Sequence, residues 1–120
     1  MIKKVKQKFI CRKYGADFLS TDNKARIGVA ENVNQGLLPI NGLRIPPDEG
    51  TSGWFIWAGE EWCEDENFFL SHHVQHLDEW SWSENINKYL GLAPGWRFLI
   101  SGDYVDVWFD EKLINTTSRK

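Results

Sequence analysis

Trp96-Arg97-Phe98-Leu99-Ile100, then Gly102-Asp103, then Tyr104-Val105-Asp106-Val107-Trp108-Phe109: two runs of β-branched and aromatic residues joined by a Gly-Asp turn decide the fold. Such side chains suit a pleated, half-buried surface, and Gly-Asp matches the tight two-residue loops of β-hairpins. The C-terminal part of the chain is predicted to be a β-hairpin, which commits the sheet it joins to antiparallel pairing.

Working outward, Trp54-Phe55-Ile56-Trp57 lies between Gly53 and Gly59 and reads as a buried strand, and Lys24 to Ala30 reads as a shorter one. Residues 35–53 hold four glycines (Gly36, Gly42, Gly50, Gly53) and three prolines (Pro39, Pro46, Pro47) and are expected to form a long ordered loop with short extended pieces. At the N-terminus, Ile2, Val5, Phe9 and Ile10 recur at spacings of three and four, predicting an amphipathic helix that Gly15 stops. Ser83 is placed to cap a second helix over 84–90, with Gly91 as its stop. Residues 60–67 read as an acidic turn, 68–79 fit neither the helical nor the strand period, and 115–120 read as a frayed tail. The order implies one α+β domain with a mainly antiparallel sheet. It divides into an N-terminal helix (1–14), a core (24–114) and the tail.

At 120 residues the chain fits a single domain that needs no metal or disulfide staple. Cys11 and Cys63 are far apart and lack paired metal-ligand spacing, so two free thiols in a reducing compartment are expected. The lysine-rich start has no apolar run behind it, and no stretch is long enough to span a bilayer, so the expected location is the cytoplasm. Charge is divided along the chain. Residues 1–26 hold eight Lys/Arg against two acids, whereas 45–87 hold ten acids and no Lys or Arg. A tract of one sign repels anions and steers cationic partners, so neither nucleic acid nor membrane is an expected partner.

Four chemistries are open to these residues. His72, His73 and His76 are all the histidines of the chain, and on a helix His72 and His76 would share one face as a zinc pair, with Asp78 or Glu79 nearby. The pattern lacks H-E-x-x-H and a distant fourth ligand, so these are weak metal candidates, and a segment packing its histidines on aromatics reads equally well. Carboxylate groups at Glu60-Glu61, Glu64-Asp65-Glu66 and Asp103, Asp106 and Asp110 could serve a hydrolase, but acidic surface loops produce the same pattern. Cys63 between Trp62 and Glu64 has a carboxylate neighbour that raises a thiol pKa, and neither a nucleophile elbow nor a phosphate-binding glycine loop is present. The fourth chemistry is binding. Trp54, Trp57, Trp62, Trp80 and Trp82 lie within the acidic tract, and aromatic anchors ringed by charge are the composition of interface hot spots. Trp54 and Trp57 are expected in the core; for the other three, core and surface stay open.

Five segments together resemble a known family: Pro39-Ile40-Asn41-Gly42-Leu43-Arg44, Thr51 to Glu61, His73 to Leu77, Tyr89 to Leu99, and Asp106-Val107-Trp108-Phe109-Asp110. The set is similar to the immunity-protein-like domains of bacterial polymorphic toxin systems, the type numbered thirty-three, over roughly residues 24–114. The resemblance implies a role rather than a reaction, namely binding a co-encoded toxin, with no catalytic residues and no cofactor. Joined to the charge pattern, it points to a cationic protein toxin as partner and to Glu60, Glu61, Trp62, Glu64, Asp65 and Glu66 as the contact patch. A small metal-dependent hydrolase using the histidine run and a housekeeping interaction domain are the alternatives.

Overall fold

The structure, a computed structural model, describes residues 2–59 and 69–114, with side chains from Lys4 onward. Helix α1 (Ile2–Tyr14) ends where the sequence reading placed its stop. Gly15 adopts φ +74°, its N–H donates to the Arg12 carbonyl (3.4 Å), and the Ala16 N–H donates to the Cys11 carbonyl (2.8 Å). That pair of bonds satisfies the last carbonyls of the helix in the Schellman arrangement.

Six strands follow: β1 (Arg26–Ala30), β2 (Ile40–Arg44), β3 (Thr51–Ala58), β4 (Phe69–His73), β5 (Trp96–Ser101) and β6 (Tyr104–Phe109). They form one sheet in the order β4-β1-β3-β2-β5-β6. The β1–β3 pair is parallel and the other four pairs are antiparallel. The α+β class, the mainly antiparallel sheet and the C-terminal hairpin are all present.

Alternation along the strands divides the sheet into two faces. One carries Ile27, Val29, Ile40, Trp54, Ile56, Phe98 and Ile100, packed with Ile10 and Cys11 of α1. The other carries Ala30, Leu43 and Trp57, joined by Ile45, Phe55, Phe69 and Leu113.

Three expectations need correction. The glycine- and proline-rich stretch 35–53 is not one loop: it contains β2, an interior strand whose five residues are all buried. Gly42, read as a loop signal, is required by packing, because a Cβ there would lie 2.3 Å from the Phe98 ring. In α1 the buried residues are Gln7, Ile10 and Cys11, while Val5 (69% exposed) and Phe9 (61%) face outward. Of the predicted stripe Ile10 is buried and Val5 and Phe9 are not, because the helix packs through Gln7, Ile10 and Cys11, with Gln7 donating to the Asn87 carbonyl and Cys11 to the Gly91 carbonyl.

The third correction concerns the interval after β4. No α-helix forms over 84–90; the chain runs through 3-10 turns at Val74–Glu79, Ser81–Asn85 and Asn87–Tyr89. The N–H groups of Trp80, Ser83, Ile86, Tyr89 and Leu92 each donate to the carbonyl three residues earlier, at 2.9–3.2 Å. Residues three apart stack on one side in a 3-10 helix, and here those residues are the core-facing ones. Leu77, Ser83, Ile86, Tyr89 and Leu92 are buried, and Val74 and Trp80 pack against them. Ser83 caps nothing: its hydroxyl is buried without a hydrogen-bond partner.

Candidate partner-binding end of the sheet

The C-terminal ends of β1, β3 and β5 and the N-terminal ends of β2, β4 and β6 meet at one end of the sheet. Two asparagines fix the end of β3. The Asn32 amide donates to the Ala58 carbonyl (2.7 Å) and accepts from the Ala58 N–H (3.0 Å), replacing a strand partner. Asn41 donates to the Gly59 carbonyl (2.6 Å), and the Gly59 N–H donates to the Pro39 carbonyl (2.9 Å). Beyond Gly59 the sequence continues into Glu60, Glu61, Trp62, Glu64, Asp65 and Glu66, which lie outside the described residues together with Cys63. The described chain resumes at Phe69, which pairs with Ala30 and sets its ring edge against Phe55 (5.2 Å between centroids) and Trp57 (6.3 Å).

Along this end of the sheet several apolar side chains are exposed, which the sequence reading missed. Leu37 is 47% exposed, Leu38 55%, Tyr104 59% and Val105 39%. Leu38, Ile40, Tyr89, Ile100 and Val105 line an open cleft of about 700 Å³ whose rim carries Lys6, Glu84 and Lys88. The available signal is the adjacent leucine pair before Pro39, hidden in a stretch whose glycines and prolines read as loop.

Trp54 and Trp57 are buried, as expected, on opposite faces of the sheet. Trp80 and Trp82 are half-buried and stacked, with centroids 5.4 Å apart and planes 18° from parallel. The Trp82 indole N–H donates to Asn34 Oδ1 (2.7 Å), which ties the 3-10 layer to the turn after β1.

The histidines do not converge. β4 ends at His73, so His72 and His73 point to opposite faces and His76 lies in the following 3-10 turn. The expected pairing of His72 and His76 along a helix does not form. His72 meets Trp80 edge-on (4.7 Å), and His73 contacts the Lys24 carbonyl through Nδ1 (3.0 Å) and the His76 ring at 5.8 Å. Among the described residues no three His, Cys, Asp or Glu side chains are grouped to hold a metal ion. Asp110 pairs with Arg97 (3.1 Å) and accepts from the Lys112 N–H (3.1 Å), so its role is local and structural. Cys11 is buried and donates to the Gly91 carbonyl (3.3 Å); burial pushes its thiol pKa up, against a smaller opposing effect of Arg44. A protonated, enclosed thiol is a poor nucleophile.

Two of the segments that carry the family resemblance, Pro39 to Arg44 and the described part of Thr51 to Glu61, contribute to the interior. Arg44 is 1% exposed and donates five hydrogen bonds to main-chain carbonyls. Its Nε reaches Ser52, and its terminal nitrogens reach Leu19, Ser20, Leu90 and Leu92. Burial lowers the guanidinium to about 10, so it remains a cation at neutral pH, compensated by carbonyl dipoles. The Leu90 carbonyl also accepts from the Trp54 indole (3.1 Å) and the Thr21 hydroxyl. At Gly53 (φ +86°) a Cβ would lie 2.1 Å from the Ile45 carbonyl oxygen.

The comparisons with known proteins agree with that interior. A family model described as the Imm33-like domain matches residues 6–110. No curated protein and no solved structure matches the chain. Because the match spans most of α1, the whole sheet and the buried Arg44 and Trp54 that hold them together, the chain belongs to the Imm33-like domain family.

Proposed function

We propose that the protein is an immunity-type inhibitor: it binds a protein toxin made by the same cell and blocks it in the cytoplasm, by contact rather than catalysis and without a cofactor. Family membership supplies the class of role. The observation that supports this end of the molecule is the exposure of Leu37, Leu38, Tyr104 and Val105 along it, with Leu38 next to Pro39, whose carbonyl accepts from Gly59 where the sequence runs on into five acids and Trp62. Apolar anchors within a charged rim are what a tight interface uses: the anchors supply affinity and the charges supply steering and orientation. Glu60, Glu61, Trp62, Glu64, Asp65 and Glu66 are assigned as the contact patch and a basic surface of the toxin as its counterpart.

The partner is first identified by mass spectrometry of what co-purifies from the native cell. Glu61→Lys with Glu64→Lys is expected to slow association and weaken its salt dependence, and Leu38→Asp to weaken binding by roughly 30-fold, the effect of losing about 2 kcal/mol. Full toxin neutralisation by the double charge reversal would remove the acidic patch from the interface. Full neutralisation by Leu38→Asp as well would remove this end of the sheet.

A further inference from the structure

The outer side of α1 has no partner among the described residues. Val5 and Phe9 lie one turn apart, about 40° around the axis at roughly 100° per residue, and are 69% and 61% exposed. The domain-facing side of the helix is Gln7, Ile10, Cys11 and Tyr14, so the two apolar residues point away from the domain. Lys6 and Lys13 flank them on one side and Lys8 on the other, with Arg12 continuing the line; all four are exposed. Lys8 and Lys13 lie over Phe18 (5.3 Å) and Tyr14 (5.5 Å), and among the described residues no carboxylate pairs with any of the four.

This is the layout of a coiled-coil seam. With Val5 at d and Phe9 at a, Lys6 and Lys13 take e positions, Lys8 takes g and Arg12 takes the next d, so the apolar part of the seam is one turn long. Charges at e and g select the partner helix. An all-lysine set repels a second copy of itself and attracts a helix bearing glutamates there. A phosphate backbone would leave the apolar centre unused. An anionic bilayer would have to attract a chain of net charge −3 whose residues 45–87 hold ten acids and no Lys or Arg.

We infer that the outer face of α1 is a docking site for an acidic amphipathic helix of a protein partner. The inference rests on α1, which shares only Lys6 with the cleft at the partner-binding end of the sheet.

The test uses the full chain and a synthetic helical peptide with leucine at a and d and glutamate at e and g, followed by fluorescence anisotropy. Binding is expected to weaken with salt and to fall about tenfold or more in Phe9→Ser and in Val5→Ser. Both sites are exposed, so unchanged thermal unfolding of the variants is expected and shows that the fold is intact. A matching peptide with lysine at e and g should not bind. Absence of binding to the glutamate peptide overturns the inference. Equal binding by Phe9→Ser does so too, because the attraction would then be charge alone. Phe9-dependent sedimentation with phosphatidylglycerol vesicles, without peptide binding, reassigns the face to a lipid surface.

Discussion

Replacing Arg44 by methionine keeps most of the aliphatic stem and deletes a cation that has no carboxylate partner among the described residues. Five donated hydrogen bonds disappear. The Leu90 carbonyl retains the Trp54 indole and the Thr21 hydroxyl, and exposed Ser20 can turn its carbonyl to water. The carbonyls of Leu19, Ser52 and Leu92 lose the arginine donor. An orphaned buried polar group costs about 1–3 kcal/mol, and relief of the guanidinium's desolvation offsets part of that. The expected net loss is roughly 3–5 kcal/mol, the range for breaking a buried charged network. Against a total stability of about 5–15 kcal/mol, this is a fall in Tm of roughly 10–20 °C for a domain of this size. Urea titration followed by tryptophan fluorescence measures it, with Trp54 as a reporter 5.5 Å from the guanidinium carbon. Arg97→Met is the comparison. Arg97 pairs with Asp110 at 3.1 Å with side-chain exposures of 28% and 21%, and its loss should cost about 1 kcal/mol or less. If Arg44→Met costs no more than Arg97→Met, carbonyl saturation is not what holds α1, β2 and the 3-10 layer together.

Ser83→Ala removes a buried hydroxyl that has no partner and should leave stability unchanged or raise it by up to about 1 kcal/mol; a clear loss in the same titration would reveal a hydrogen bond at that site. Gly42→Ala sets a methyl 2.3 Å from the Phe98 ring and should cost about 1–3 kcal/mol or more through overpacking, visible as a lower urea midpoint. Burial raises the Cys11 thiol above its usual 9.0, so as pH rises through that value the unfolded chain releases a proton that the folded chain keeps, and stability falls. Cys11→Ser should flatten that fall as pH rises above 9.0. In a Cys63→Ser background, Cys11 should react with a thiol reagent at least about a hundredfold faster in urea than in the native state, as expected for an enclosed thiol.

The segments that mark the family in the sequence are those with least freedom in the structure. Gly42 must admit Phe98, Gly53 must pass the Ile45 carbonyl, and Arg44 and Trp54 donate to carbonyls of the 3-10 layer. A motif of this kind reports the fold. The candidate contact residues Leu37, Leu38, Tyr104 and Val105 lie outside the quoted motifs, on a loop and on the exposed side of the terminal hairpin, where no interior constraint fixes them.

From its sequence alone the chain determined its class, its C-terminal hairpin, the buried strand around Trp54 to Trp57 and the end of α1 at Gly15, because each rests on local chemistry: β-forming runs, turn residues and a left-handed glycine. Its charge division was equally plain. Tertiary structure decided the rest. Ile40 to Arg44 became an interior strand because neighbours on both sides satisfy its backbone and Phe98 fills the space above Gly42, a gain no local propensity records. The interval from Val74 to Leu92 follows a period of three; its first part fitted neither the helical nor the strand template and 84–90 read as a helix, and only packing on the sheet makes the period of three favourable. Either side of α1 could have met the domain by pattern; Gln7, Ile10 and Cys11 did, because the Asn87 and Gly91 carbonyls of the 3-10 layer accept from Gln7 and Cys11, leaving Val5 and Phe9 outside.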